Sequence, residues 1–273
     1  MVEDKVEDQT IVAFDTETSG AYPLESEVIE LGAVKWKSGK VVDRFQTLLK
    51  PRARLQEANM RIHGITNEMV VDAPLMKEKI GQFKEFVEGS VLLAHHAPFD
   101  LGFMTVAFEE NKTEFPKNTI LCTSLIARAL LTTTNHKLQT LVKELNLLGG
   151  DAHRAADDAY ACMQVFFECL KKLNPDQRTI SNIQKIQGKP LNWSDYRLLS
   201  ISDPKLSSLA RHALDAKQID IVYDGGSQGG KPRPIIPFGI VRNPDGDYLN
   251  ALCLIDNTRK RFYLNKIIDY PLF

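Results

Sequence analysis

Two carboxylates one residue apart close an apolar run in Ile11-Val12-Ala13-Phe14-Asp15-Thr16-Glu17-Thr18. A run this rich in Ile, Val and Phe reads as a strand buried on both faces. Side chains alternate along a strand, so Asp15 and Glu17 project from one face at its C-terminal end. Two anions held side by side repel unless a positive charge lies between them, and a hard divalent cation with oxygen ligands meets that need. Taken alone, a strand ending in solvent with two hydrated acids fits the stretch equally well.

Two later stretches repeat the theme. In Val91-Leu92-Leu93-Ala94-His95-His96-Ala97-Pro98-Phe99-Asp100, a short apolar strand again delivers an acid, here to a helix start marked by Pro98. In His153-Arg154-Ala155-Ala156-Asp157-Asp158, a histidine precedes an acid by five residues at the head of a long helical pattern. Five helical residues turn about 500°, so His153 and Asp158 would not share a helix face. The spacing instead puts His153 on the entering loop, above a site that Asp158 reaches from the helix. Each stretch also has an ordinary explanation: Asp100 as a first-turn acid favoured by the helix dipole, His153 as a surface residue. Their joint occurrence in this order is much harder to ascribe to chance.

The elements that must position these groups follow from periodicity. Apolar stretches at 27–37 and 41–49 flank Ser38-Gly39-Lys40 and predict a hairpin beside the first strand. Short helical turns are expected at 56–60 and 67–71, and helices at 75–87, from Pro98 through Phe108, and at 123–131, 138–145 and 155–173. Short strands are expected at 91–94 and 119–121. This mixture over about 165 residues predicts an α/β domain around one sheet. Residues 176–202 read as a polar linker, and 206–216 as an amphipathic helix. The four short strand patterns beyond, at 219–223, 234–241, 247–255 and 260–264, predict a small barrel. The run Gly225-Gly226-Ser227-Gln228-Gly229-Gly230 joins two strands and reads as a hairpin loop rather than a phosphate cradle.

Composition narrows the function classes. The 273 residues are 43% hydrophobic and 25% charged, ordinary for a globular chain. No apolar run approaches the ~20 residues of a membrane span, and the acidic start Met-Val-Glu-Asp is unlike a secretory signal. Cys122, Cys162, Cys169 and Cys253 have no metal-binding spacing and suit buried thiols in a reducing cytoplasm. The net charge of -1 conceals a split, -5 over residues 1–175 and +4 over the rest. That split places a domain boundary near 175 and favours an anionic partner for the second part.

Over about residues 8–172 the chain resembles the DEDDh 3′–5′ exonucleases, a superfamily that includes the proofreading epsilon subunit of bacterial DNA polymerase III and ribonuclease T. The matching motifs are Phe14-Asp15-Thr16-Glu17-Thr18, His95–Asp100, and His153 followed five residues on by Asp158, with Ile62-His63-Gly64-Ile65-Thr66 between them. His96 departs from the family, which usually has Asn there. The resemblance implies an RNase H-like mixed sheet flanked by helices. It implies that Asp15, Glu17, Asp100 and Asp158 bind two divalent cations, Mg²⁺ or Mn²⁺, with His153 as general base. Asp157 competes for the fourth ligand position, and the family spacing selects Asp158. It further implies that Thr16, Thr18, His63, His96 and Phe99 hold the terminal nucleotide, and that nucleoside 5′-monophosphates leave from a free 3′ end. Physical reasons agree: a phosphodiester is anionic, so attack on it needs nearby positive charge, and an imidazole can take a proton from water near neutral pH.

From about Leu206 the chain resembles a WYL domain, a small SH3-like barrel, through Ile219–Tyr223, Arg233–Val241, Tyr248-Leu249 and Arg261–Leu264. Asp247 stands where that family has its name-giving Trp. The resemblance implies anion or nucleic-acid binding, with Arg233, Arg259 and Arg261 as candidates. The expected domains are therefore 1–175, an exonuclease domain, and 203–273, a WYL-like domain. The expected function is 3′–5′ hydrolysis of single-stranded DNA in proofreading or repair, in the cytoplasm. RNA trimming is the alternative within the enzyme class, and a non-catalytic nucleic-acid-sensing regulator the alternative outside it. A polymerase or repair partner is not readable from the residues.

Overall fold

A computed structural model describes residues 4–200 and 203–272. In chain order its elements are β1 (Ile11–Thr18), β2 (Val28–Lys37), β3 (Lys40–Leu48), α1 (Glu57–His63), α2 (Asn67–Val70), α3 (Met76–Val87), β4 (Val91–Ala94), α4 (Pro98–Glu110), β5 (Thr119–Cys122), α5 (Thr123–Leu130), α6 (Leu138–Glu144), α7 (Ala155–Leu170), α8 (Ile180–Gln187), α9 (Pro204–Leu214), β6 (Ile219–Tyr223), β7 (Pro232–Val241), β8 (Tyr248–Cys253), β9 (Thr258–Tyr263) and β10 (Ile267–Asp269). The chain divides into two units. One holds the described residues up to Ser19, Val28–Asp100 and Thr113–Asn192; the other holds Gly20–Glu27, Leu101–Lys112 and the described residues from Trp193 on. Among the described residues, no helix is long and apolar enough to cross a membrane.

The first unit is built on a mixed five-stranded sheet in the order β3-β2-β1-β4-β5. β1 runs antiparallel to β2 and parallel to β4, which puts it at the centre. Its burial is nearly continuous, as its Ile-Val-Ala-Phe run dictates. Phe14 packs on Phe83 of α3. Ala13, on the other face of the strand, lies in a core with Ala159, Cys162 and Phe166 of α7.

One residue lets α7 sit so close to β2. A Cβ on Gly32 would lie 2.2 Å from the Ala156 backbone nitrogen, a backbone clash that no side-chain motion relieves. Gly32→Ala is therefore expected to lower stability by about 3 kcal/mol, at the upper end of ordinary overpacking costs. Denaturant unfolding of this variant checks it, and an unchanged midpoint would contradict this packing.

The stretch read as a linker is structured. Thr179 caps α8 by accepting the Asn182 N–H, and Gly188 ends it at φ 78°. Ile180 and Ile183 join the first unit's core, and the Gln187 carboxamide oxygen accepts the Cys122 N–H at 2.6 Å. Polar composition concealed a short amphipathic helix.

The second unit is a five-stranded antiparallel sheet, β10-β6-β7-β8-β9. The expected barrel is corrected here: among the described residues β9 and β10 do not pair, so the sheet is open. Leu206, Leu209, Ala210 and Ala213 of α9 share its core with Ile235, Leu249, Ala251, Cys253 and Phe262.

Candidate active site

β1 delivers Asp15 and Glu17 to the sheet face on which α7 packs, as the alternation requires. Opposite them on β2 stand Gly32, facing Asp15, and Glu30, facing Glu17. Asp100 enters from the first turn of α4 and is 2% exposed. Its Oδ1 accepts both the Thr16 N–H at 3.0 Å and the Thr16 hydroxyl at 2.8 Å. Thr16 is thus buried with both donors committed to Asp100, so it positions that acid and does not offer its N–H to a nucleotide. Asp158 comes from the first turn of α7. Its Oδ2 accepts the His153 N–H at 3.0 Å, and its Oδ1 accepts from Gln139 at 2.8 Å.

His153 is exposed on the turn before α7, at φ 64°. One ligand atom from each of Glu17, His153 and Asp158 lies within 4.8 Å of the others. Asp157 points elsewhere and accepts the Asp151 N–H. His63 ends α1 and is buried. Its Nδ1 accepts the Ile65 N–H, which leaves the proton on Nε2, a buried atom without a partner. Its pKa is lowered, chiefly by burial, with the charge of Glu30 pulling the other way. His96 (φ 69°) and Phe99, 38% exposed, lie on the turn into α4 and in its first turn. Thr18 is half-buried at the end of β1.

Glu30 is the residue that sequence reasoning missed. It is fully buried yet ionised: burial pushes its carboxyl up, but hydrogen bonds from Arg154, Gln46 and the Ala155 N–H hold it below the usual range. Arg154 Nη2 and Nε reach its two oxygens at 2.7 and 3.1 Å. The pair fastens the His153 turn to β2. An acid inside Val28-Ile29-Glu30-Leu31-Gly32-Ala33-Val34 was the available signal.

The four acids behave as crowded anions. Asp15 is pushed well above the usual carboxylate range by burial, then by Asp100, Asp158 and Glu17. Burial and the charges of Asp158 and Glu30 raise Glu17 to about 8. Asp100 rises to about 7 through burial, with the Thr16 hydrogen bonds pulling the other way. Burial also raises Asp158, against the His153 N–H and charge. Among the described residues no hydrogen-bond donor reaches the Asp15 or Glu17 carboxyls. Oxygen donors that lack protein partners, repel one another and lie beside an imidazole fit divalent cations.

A sign follows for pH. A carboxyl whose pKa is raised on folding binds its proton more tightly in the folded state, so its ionisation destabilises the fold as pH rises. His95 works oppositely. Burial between Thr123 and the His136 carbonyl lowers it to about 4, so its contribution is fully present above the ordinary imidazole value and lost as pH falls towards 4. Above about pH 6.5 only the acids remain. Cation-free protein should therefore lose stability between about pH 6.5 and 8, the top of the Glu17 titration. A divalent cation at 100 times its Kd should return about 2.7 kcal/mol. Thermal unfolding with and without chelator checks this; stability that rises through this window and ignores the cation would contradict it.

Comparison with known proteins agrees with this geometry. The family model described as Exonuclease (RNase T) matches residues 12–166. DNA polymerase III PolC-type of Oceanobacillus iheyensis is 36% identical over 176 residues, 64% of this chain and 12% of that protein. Its counterpart in Caldanaerobacter subterraneus is 39% identical over 165 residues, 59% of this chain and again 12% of that protein. The chain thus spans about an eighth of the length of these curated relatives. Among solved structures, Exonuclease X in complex with 5′ overhanging duplex DNA is 25% identical, with TM-score 0.50 over 65% of this chain and 99% of that one. Exonuclease I, at 16% identity and TM-score 0.56 over 97% of this chain and 64% of that one, shares the fold. With the match covering more than half its length, the chain belongs to the exonuclease family.

Proposed function

We propose that the chain removes nucleotides one at a time from the 3′ end of single-stranded DNA, using two divalent cations, Mg²⁺ or Mn²⁺, and releasing nucleoside 5′-monophosphates. One observation carries this reading: Glu17, His153 and Asp158 each bring a ligand atom within 4.8 Å of the others, Asp15 shares the strand face of Glu17, and Asp100 is bound to Thr16 between those two acids. Those four acids would hold the cations, which supply positive charge at the phosphate and a more acidic water when bound. His153 takes the proton from the attacking water. Thr16 fixes Asp100, and the Glu30–Arg154 pair fixes the turn that carries His153. His63, through its unpartnered Nε2–H, and Thr18, His96 and Phe99 hold the terminal nucleotide.

DNA is favoured because the relatives include DNA polymerases and the Exonuclease X complex holds DNA. The same relatives support a proofreading or repair setting with a polymerase-type partner. Four free, buried cysteines suit a reducing cytoplasm. For the second unit, the WYL-like reading is narrowed. Arg233 is 3% exposed on the core face, where it donates to Cys253 Sγ, so anion binding there is left to Arg259 and Arg261.

A panel of single- and double-stranded DNA and RNA, each with Mg²⁺ or Mn²⁺, tests the proposal. Cation-dependent release of mononucleotides from single-stranded DNA is expected to be fastest. Preferred cleavage of RNA would replace it with the RNA-trimming reading.

A further inference from the structure

His95 has no part in the chemistry above, yet both of its ring nitrogens are engaged. Nδ1 lies 2.8 Å from the Thr123 hydroxyl, and Nε2 lies 2.9 Å from the His136 carbonyl oxygen. A carbonyl only accepts, so Nε2 carries the proton and donates it to His136. Burial lowers the ring to about 4, so near neutral pH it has no second proton and Nδ1 accepts the Thr123 O–H. The Ala94 carbonyl, at 3.4 Å, is a poorer acceptor for that hydroxyl. The two neighbours thus fix one tautomer and one ring orientation.

The His136 carbonyl belongs to a turn that is stitched internally. His136 Nε2 donates to the Leu131 carbonyl at 3.2 Å, and the Lys137 N–H donates to Asn135 Oδ1 at 3.0 Å. The Thr134 N–H donates to Glu144 of α6 at 3.2 Å. Gln139, the second residue of α6, then donates to Asp158 Oδ1 at 2.8 Å. The other Asp158 oxygen accepts the His153 N–H. A carboxylate with one donor on each oxygen has its plane fixed, so its remaining lone pairs point in a set direction. At the opposite end, His95 lies on the turn between β4 and α4, five residues before Asp100. One imidazole therefore ties the segment that carries Asp100 to the helix that orients Asp158. Gln139 is exposed, so its bond to Asp158 is not the satisfaction of a buried amide.

We propose that His95 and Gln139 are positioning residues for the cation site: His95 holds the His136 turn, the turn holds α6, and Gln139 on α6 fixes the Asp158 carboxylate. The proposal rests on the exonuclease reading for the cations, but its test needs no substrate. Mn²⁺ is titrated into the cation-free full chain, and free Mn²⁺ is followed by its electron paramagnetic resonance signal. Gln139→Leu should weaken Mn²⁺ binding by about 10- to 100-fold, the usual cost of losing an outer partner of a metal ligand. His95→Asn keeps an amide beside Thr123 but is too short to reach His136, and should cost about tenfold. His95→Gln extends a donor to the Nε2 position and should restore most of that loss. Because His95 acts through Gln139, His95→Asn placed on Gln139→Leu should add less than about twofold, the scatter between independent sites. A merely structural role would lower Tm in both backgrounds and show no such dependence. Single losses that multiply in the double variant would overturn the proposal. So would Mn²⁺ binding unchanged in either single variant, or not restored by His95→Gln. Gln139 is exposed, so Gln139→Leu should match the parent by circular dichroism and tests the last link whatever His95→Asn does to the fold. Unaltered protein that binds no Mn²⁺ would overturn the exonuclease reading and this proposal together. Unaltered protein that binds it, with losses that multiply, would overturn this proposal alone.

Discussion

Asp15→Asn should lower hydrolysis by more than about 100-fold and, in chelator at pH 8, make the protein more stable. The first effect exceeds the 10–100-fold loss usual when only an outer partner of a metal ligand is removed. Asp15 stands where burial and four other acids raise its pKa, and among the described residues no donor satisfies it. Its charge therefore opposes folding until a cation arrives, and an amide of the same shape removes that repulsion. Each kcal/mol regained should raise Tm by about 2–4 °C in a protein of this size. A variant that kept its activity would remove Asp15 from the cation site. One that lost activity through lower stability would point to a structural role instead.

His153→Ala should lower kcat by about 10² to 10⁴-fold, the range for a positioned proton acceptor. The ring lies close enough to Glu17 and Asp158 to be a cation ligand as well, so the same variant needs a second measurement. As a base, His153 can be lost with the Mn²⁺ dissociation constant little changed. As a ligand, its loss weakens Mn²⁺ binding. The Glu30–Arg154 pair predicts which remote change resembles it. Loosening the turn that carries His153 should reduce kcat more than KM.

Much of the site was legible because strand alternation and helix starts are local rules. Asp15 and Glu17 share a face by a period of two, and Pro98 announces the helix that carries Asp100. His153 falls on the turn before α7 because a five-residue step does not close on a helix face. What could not be read is what depends on neighbours distant in sequence. Thr16 looked like a nucleotide contact until Asp100, 84 residues away, was seen to take both of its donors. Glu30 looked like an interruption in a strand, and only its pairing with Arg154, 124 residues on, gives it a purpose. α8 carried its signals, Thr179 and Gly188, but the polar residues around them resembled a linker. The barrel failed as an expectation because strand length and spacing do not determine whether edge strands meet. Arg233, Arg259 and Arg261 looked alike in sequence, yet strand register puts the first in the core and the other two on the opposite face.

The most direct measurement is a time course on a single-stranded DNA oligonucleotide labelled differently at its two ends, resolved by mass, with Mg²⁺ or with chelator. The account predicts a ladder shortening from the 3′ end, nucleoside 5′-monophosphates as product, and no cleavage in chelator. Internal fragments, loss beginning at the 5′ end, or the same rate in chelator would contradict it.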